Sequence, residues 1–307
     1  MSIRAVRKHV TATPTMEGAG VHLRRAFGFG DTVTTDPFLL LDDFRNDVPD
    51  DYLRGFPWHP HRGIETITYV LAGTVDHADS LGNQGAIGAG DVQWMTAGRG
   101  IVHQEMPHGD QAGRMHGFQL WANLPASQKM TAPRYQDVSA GDVAEVTDDD
   151  GTKVRVICGE FWGRRGPVDG IAADPQYLDI TLPAGVERSL PIARSKNVFA
   201  YVFDGQGSFR DASDPRPVAT DIVAPGGLLD DDRARYGTDV ANRSLTVFDS
   251  GDEIRVRAGE QGLRFLLVSG APIGEPVAWH GPIVMNTQQE LQHAFAQLRN
   301  GTFLDVR

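Results

Sequence analysis

Cysteine is nearly absent from this chain: Cys158 is the single one in 307 residues. An intramolecular disulfide and a cysteine-based zinc knuckle are therefore both excluded. Positive charge is also scarce, 29 lysines and arginines against 40 aspartates and glutamates, for a formal net charge of -11. A field of that sign repels polyanions, so direct nucleic-acid binding by phosphate neutralisation is not expected. No run approaches the roughly 20 apolar residues that a membrane-spanning helix needs. The opening MSIRAVRKHV has neither the apolar core nor the small-residue cleavage site of a signal peptide. These absences lead us to expect a cytoplasmic location. Helical patterning is rare too, confined to NTQQELQHAFAQLRNG near the C-terminus. There Thr287 and Glu290 have capping-box spacing, Leu291, Phe295 and Leu298 form one stripe, and Asn300–Gly301 is a stop signal.

What the chain has in quantity is punctuation, with 35 glycines and 18 prolines. Between them lie short runs such as ETITYVL, VQWMTA, VFAYVF and RFLLVSG, rich in β-branched and aromatic residues. Such runs, separated by glycine-rich turns, predict a mainly antiparallel β sandwich or barrel.

The pattern also repeats. Tyr69–Gly73 (YVLAG) in the first half has a counterpart in Tyr201–Gly205 (YVFDG), Gly90–Asp91 in Gly251–Asp252, and Ala97–Gly98 in Ala258–Gly259. Two copies of one β unit follow, divided in the polar stretch near Ser139–Gly151. Counted from these landmarks, His59 and His61 correspond to Pro191 and Ala193, and His103 and Glu105 to Arg264 and Leu266. The polar candidates of the first half are thus missing from the second. The chemistry is expected in the first half, with the second acting as scaffold or as a wall across the mouth.

In a strand, residues i and i+2 share a face, about 7 Å apart. His59 and His61 in HPH, and His103 and Glu105 in HQE, therefore form two pairs of ligand-type side chains. On facing strands inside a barrel they could converge on one divalent ion, with a coordination position or two left open. Nitrogen and oxygen ligands of this kind favour Fe(II), with Mn, Ni, Cu and Zn as alternatives.

These residues resemble a known family. H-x-H–x3–E followed by GDVQWMTAGRGIVHQEM is similar to the two motifs of the cupin superfamily, and HPHRGIET, the DSLGN turn and the tail PIGEPVAWHGPIVMNTQQELQHAFAQLRNGTF resemble the pirins. The resemblance implies an all-β fold of two tandem cupin barrels (double-stranded β-helix or jelly-roll) packed face to face, with a C-terminal α-helix. Residues 1–140 would form the metal-binding N-terminal domain, and 141–307 a C-terminal domain without metal ligands. It implies His59, His61, His103 and Glu105 as the iron ligands. It also implies dioxygenase chemistry on a flavonol such as quercetin, with O2, or else a metal-responsive regulatory role with a protein partner. Gln104 stands where many pirins have a small residue, and strand alternation points it away from the ligands. General cupins draw their carboxylate from the first motif, which here is Glu65. Both Glu105 and Glu65 are therefore candidates for the catalytic base, with Glu65 expected beside the ligands or on the pocket wall.

Other signals are set aside. His9, His22, His77, His108, His116, His280 and His293 lack same-face partners, although His116 has the best claim to a pocket position. Asp148–Asp150 and Asp230–Asp232 lack the spacing of a calcium loop. Gly18–Ala19–Gly20 and Gly205–Gln206–Gly207 lack the third glycine and the helix of a dinucleotide fingerprint. Cys158 is expected to be a small buried apolar residue. Phe56, Trp58, Trp94 and Met95 could line an aromatic-accepting cavity or simply pack the core.

Overall fold

Runs of β-branched and aromatic residues suit a pleated surface better than a helix, and they form strands. The computed structural model describes residues 2–169, 172–210, 223–224, 227–228 and 239–305; Asp230–Asp232 lie outside the described residues. The chain opens with β1 (Val6–Thr11), β2 (Thr13–Glu17), β3 (Val21–Phe27), β4 (Phe38–Asp43), β5 (Phe56–His61) and β6 (Ile64–Ala72). It continues with β7 (Thr74–Asp79), β8 (Gln84–Ile87), β9 (Val92–Thr96), β10 (Ile101–His108), β11 (His116–Asn123) and β12 (Arg134–Val138). Two sheets make the first barrel, one ordered β12-β9-β6-β11-β4-β3-β2 and the other β5-β10-β7-β8. Every residue of β6 from Ile64 to Val70 is buried, because the larger sheet is covered on both faces.

The second barrel repeats the first with fewer breaks. Asn197–Arg210 runs through the places of β6 and β7 in one bent strand, and Glu253–Gly270 through those of β10 and β11. The larger sheets meet face to face over one apolar core, with Ile67, Trp94 and Phe118 against Tyr177, Phe199 and Leu266. The duplication shows in two matched contacts. Tyr69 lies opposite Phe118 and Phe118 opposite Asp43; Tyr201 lies opposite Leu266 and Leu266 opposite Asp179. Across the interface the Tyr69 hydroxyl donates to Asp179 (2.7 Å) and the Tyr201 hydroxyl to Asp43 (2.8 Å).

Register corrects the residue-by-residue match. His103 pairs with His59 and Glu105 with His77; in the second barrel Ile254 pairs with Leu190 and Val256 with Phe209. His77 and Phe209 are each eight residues beyond the matched tyrosines. The counterparts of His59, His61, His103 and Glu105 are therefore Leu190, Ile192, Ile254 and Val256, not Pro191, Ala193, Arg264 and Leu266. The Gly-Asp landmark misled because Gly90–Asp91 precedes β9, whereas Gly251–Asp252 precedes the strand standing in the place of β10. All four true counterparts are apolar and pack in the second barrel's core.

The division expected at 140/141 falls between β12 and the strand Ala144–Thr147, but both ends of the chain cross it. β1 pairs with Ser244–Phe248 of the second barrel, the place that β12 takes beside β9 in the first. Each added strand covers a sheet edge that would otherwise be open. At the other end, the hairpin Ala278–His280/Ile283–Met285 and the helix Gln288–Asn300 dock on the first barrel. The helix has the expected Thr287/Glu290 capping box and ends on left-handed Gly301. Buried Arg62 fixes it by donating to Gln297 Oε1 (2.6 Å) and the Phe303 carbonyl (2.8 Å) while stacking on the Phe303 ring. No helix among the described residues is long and apolar enough to cross a membrane.

Candidate metal centre

β5 and β10 pair antiparallel with His103 opposite His59, and their alternate side chains point into the first barrel. The register slips between His103 and Glu105, an irregularity of the kind that re-aims a side chain at a site. Nε2 of His59 lies 3.0 Å from Nε2 of His61 and 2.9 Å from Nε2 of His103. A carboxylate oxygen of Glu105 lies 3.8 Å from the His103 Nε2. Two nitrogens about 2.1 Å from one ion stand about 3.0 Å apart at a right angle and about 3.4 Å apart at the tetrahedral angle. The two His59 spacings are those of donors around one ion, while the Glu105 oxygen stands wider, at 3.8 Å from His103.

Protonation agrees with that use. His59 Nδ1 donates to the Pro57 carbonyl (2.9 Å) and His61 Nδ1 to the Pro282 carbonyl (3.2 Å), which leaves each Nε2 lone pair free. Burial holds all three imidazoles below their ordinary pKa, helped at His61 and His103 by the neighbouring histidines. Burial also raises the Glu105 carboxyl to about 7, against one hydrogen bond from Thr68. Three neutral imidazoles and a buried carboxyl repel nothing cationic, and the donor set fits a divalent ion.

Glu65 does not join this cluster. Its neighbours across the strands are Thr96 and Ala122, on the face of β6 that carries Ile67 and Tyr69 toward the second barrel. Thr96 donates to its Oε1 (2.7 Å), and burial raises its carboxyl to about 7. The expectation that Glu65 stands with the ligands or on the pocket wall is corrected: Gly63, at φ +77°, turns the chain between His61 and β6 and resets the alternation. His77, by contrast, was set aside and is close. It lies opposite Glu105, its ring 5.5 Å from that of His103, with Asp79 3.8 Å away. The i, i+2 alternation in DHAD was the signal for it.

The cluster opens on a cavity of about 590 Å³, walled by apolar groups including Phe44, Phe56, Met115 and Trp121. Trp279 and Pro282 of the docked tail close one side, so the wall expected from the second half is supplied by the tail. Of the other aromatic candidates, Trp94 and Met95 are core and Trp58 is exposed. His116 lines a separate cleft and pairs with Asp47 (2.6 Å). Cys158 is buried in the interface between the barrels.

Comparison with known proteins agrees with both halves of this description. Residues 20–122 match the pirin family model, and residues 177–304 match that of the pirin C-terminal cupin domain. A pirin-like protein of Caulobacter vibrioides is 43% identical over 305 residues, covering 99% of this chain and 100% of the relative. The crystal structure of a quercetin 2,3-dioxygenase from Acinetobacter baumannii aligns with a TM-score of 0.83 at 29% identity, over 98% of this chain and 99% of that one. A bacterial pirin of Escherichia coli in complex with nickel(II) shares the fold, with a TM-score of 0.62 at 20% identity over 86% and 98% of the two chains. With both barrels matched in order and relatives aligned end to end, the chain belongs to the pirin family.

Proposed function

We propose that this protein is a cytoplasmic, metal-dependent dioxygenase that opens a flavonol-type ring with O2, with Fe(II) held by His59, His61, His103 and Glu105. The observation that carries it is the convergence of three Nε2 atoms beside a carboxylate, at one end of a largely apolar cavity. The resemblance to the Acinetobacter enzyme supports the substrate class. A bound ion supplies Lewis acidity and redox chemistry toward dioxygen. The chain does the rest. Phe56, Trp121 and Trp279 exclude water and bind the flat faces of the ring system. Glu105, tethered through Oε1 to Thr68 (3.2 Å), takes the proton that the substrate hydroxyl gives up.

The test is metal analysis of protein purified without a chelating tag, followed by flavonol assay without and then with air. About one iron per chain and loss of flavonol absorbance only in air are expected. Stoichiometric metal with no flavonol consumed in air would overturn the enzymatic reading. One observation favours a metal-responsive regulatory role instead: His61 is bonded to the docked tail through Pro282. Metal-dependent hydrogen exchange in residues 278–303, in protein without turnover, would support that alternative.

A further inference from the structure

A row of polar side chains crosses the floor of the cavity. Thr68 on β6 lies opposite Gln119 on β11, Gln119 opposite Asp42 on β4, and Asp42 opposite Arg25 on β3. All four line the cavity. Neighbouring strands are about 4.8 Å apart, so the row runs about 14 Å from Thr68 to Arg25. At its inner end the Thr68 hydroxyl lies 3.2 Å from Glu105 Oε1 and 2.6 Å from Gln119 Oε1, and its single proton serves one of the two at a time. At its outer end Arg25 holds Asp42 in a bidentate pair (2.8 and 2.7 Å) and also meets Glu17 (2.9 Å). The amide N–H groups of Gln119 have no acceptor among the described residues.

The second barrel shows that the fold does not need this row. Its same four positions, matched through the pairing of Ala200 with Leu267, Leu267 with Leu178 and Leu178 with Val156, are apolar and fully buried. A polar row in a largely apolar cavity costs desolvation unless something uses it. The apolar row in the sister barrel marks the polar one as functional in the same way that the missing histidines mark the metal ligands.

Resting on the proposed function, we infer that Gln119 and Asp42 determine specificity, recognising polar groups on the part of the substrate remote from the metal end. The substrate is then a long, flat molecule with a hydroxylated far ring. Gln119 donates to an oxygen about one strand spacing beyond Thr68. Asp42 accepts from a hydroxyl about two spacings beyond it. An unsubstituted far ring leaves the Gln119 amide N–H groups without an acceptor, while Asp42 keeps only its pair with Arg25.

Two probes decide this, 3-hydroxyflavone and its 3′,4′-dihydroxy analogue. Their binding to metal-loaded protein is followed anaerobically by quenching of tryptophan fluorescence, Trp121 and Trp279 being in the cavity wall. Wild type should prefer the dihydroxy probe by about ten- to a hundredfold, the range for hydrogen bonds to charged or otherwise unpaired groups. The double variant Arg25→Val/Asp42→Leu copies residues that the second barrel already packs, and should lower the ratio severalfold, leaving only what Gln119 contributes. Gln119→Leu removes no charge and should lower the same ratio, so it answers the question if the double variant does not fold. A ratio unchanged in these variants, or absent in wild type, overturns the inference. So does loss of metal from Gln119→Leu, which would make the row a support for Glu105. Failure of both probes to bind metal-loaded wild type would instead sink the proposed function itself.

Discussion

The two carboxylates that the sequence left in competition are separated by a single turn. Glu105 and Glu65 are both buried and both raised to about 7, so burial does not distinguish them; direction does. Glu105→Gln should weaken metal affinity strongly, because a neutral amide replaces an anionic donor. Glu65→Gln should keep the metal at wild-type stoichiometry. Metal content by elemental analysis reads both, and retention by Glu105→Gln with loss by Glu65→Gln would reverse the assignment. His59→Ala and His103→Ala should lose the metal while far-UV circular dichroism stays that of the β fold, since the second barrel closes with Leu190 and Ile254 in those places. The clustering of His59, His61, His103 and Glu105 was legible because H-x-H and H-x-E each carry their facing within one strand. Glu65 was not, because counting parity from His61 passes through left-handed Gly63, where strand alternation no longer holds.

At the scale of elements, the C-terminal tail is where packing becomes testable. A Cβ on Gly63 would lie 1.9 Å from the Val284 carbonyl oxygen, and the residue's φ of +77° disfavours any side chain. Gly63→Ala should therefore push the hairpin Ala278–His280/Ile283–Met285 off the first barrel and lower the Tm by several degrees or more, with faster hydrogen exchange across residues 278–303. Beneath that hairpin, Lys129 Nζ donates to the Gly63 carbonyl (2.8 Å) and Asn123 Oδ1 (2.6 Å), and burial lowers its pKa to about 7. A lysine with a folded pKa below its unfolded value stabilises fully only above about 10, and that stability is lost as pH falls toward 7. Denaturant titrations should show stability rising with pH across that window, more steeply in wild type than in Lys129→Met. An equal slope in the two proteins would place the lysine outside the linkage. The helix itself was plain in the sequence, since Thr287, Glu290 and Gly301 act locally. Its docking was not, because Arg62 meets Gln297 and Phe303 across more than 200 residues, and nothing local encodes such a pairing.

The whole molecule is one barrel used twice, once around a polar site and once around an apolar core. Rebuilding the site in the second copy tests that statement. Leu190→His, Ile192→His, Ile254→His and Val256→Glu should converge inside the second barrel, lower its stability without metal, and bind a second equivalent that restores part of the Tm. Substituting Pro191, Ala193, Arg264 and Leu266 instead should give no second site. Equal metal uptake by both sets would refute the register. The duplication itself was visible because Tyr69 and Tyr201 close matching strands before a glycine turn. The equivalences of His59, His61, His103 and Glu105 were not, because two of the first barrel's loops vanish into two long strands of the second, and counting residues cannot detect a lost turn.

The exchanged ends give the protein a timetable. A chain made at about 5–20 residues per second tends to fold its N-terminal units first. The first barrel's strands are complete at Val138, yet the tail begins at Ala278, about 140 residues later, or roughly 7–28 s at that rate. During that interval His61 has no Pro282 carbonyl to fix its free nitrogen, the cavity has no Trp279, and β1 waits for a sheet not yet synthesised. A half-made chain therefore lacks one wall of the cavity and the partner of the His61 Nδ1, and both arrive only with the hairpin that carries Trp279 and Pro282.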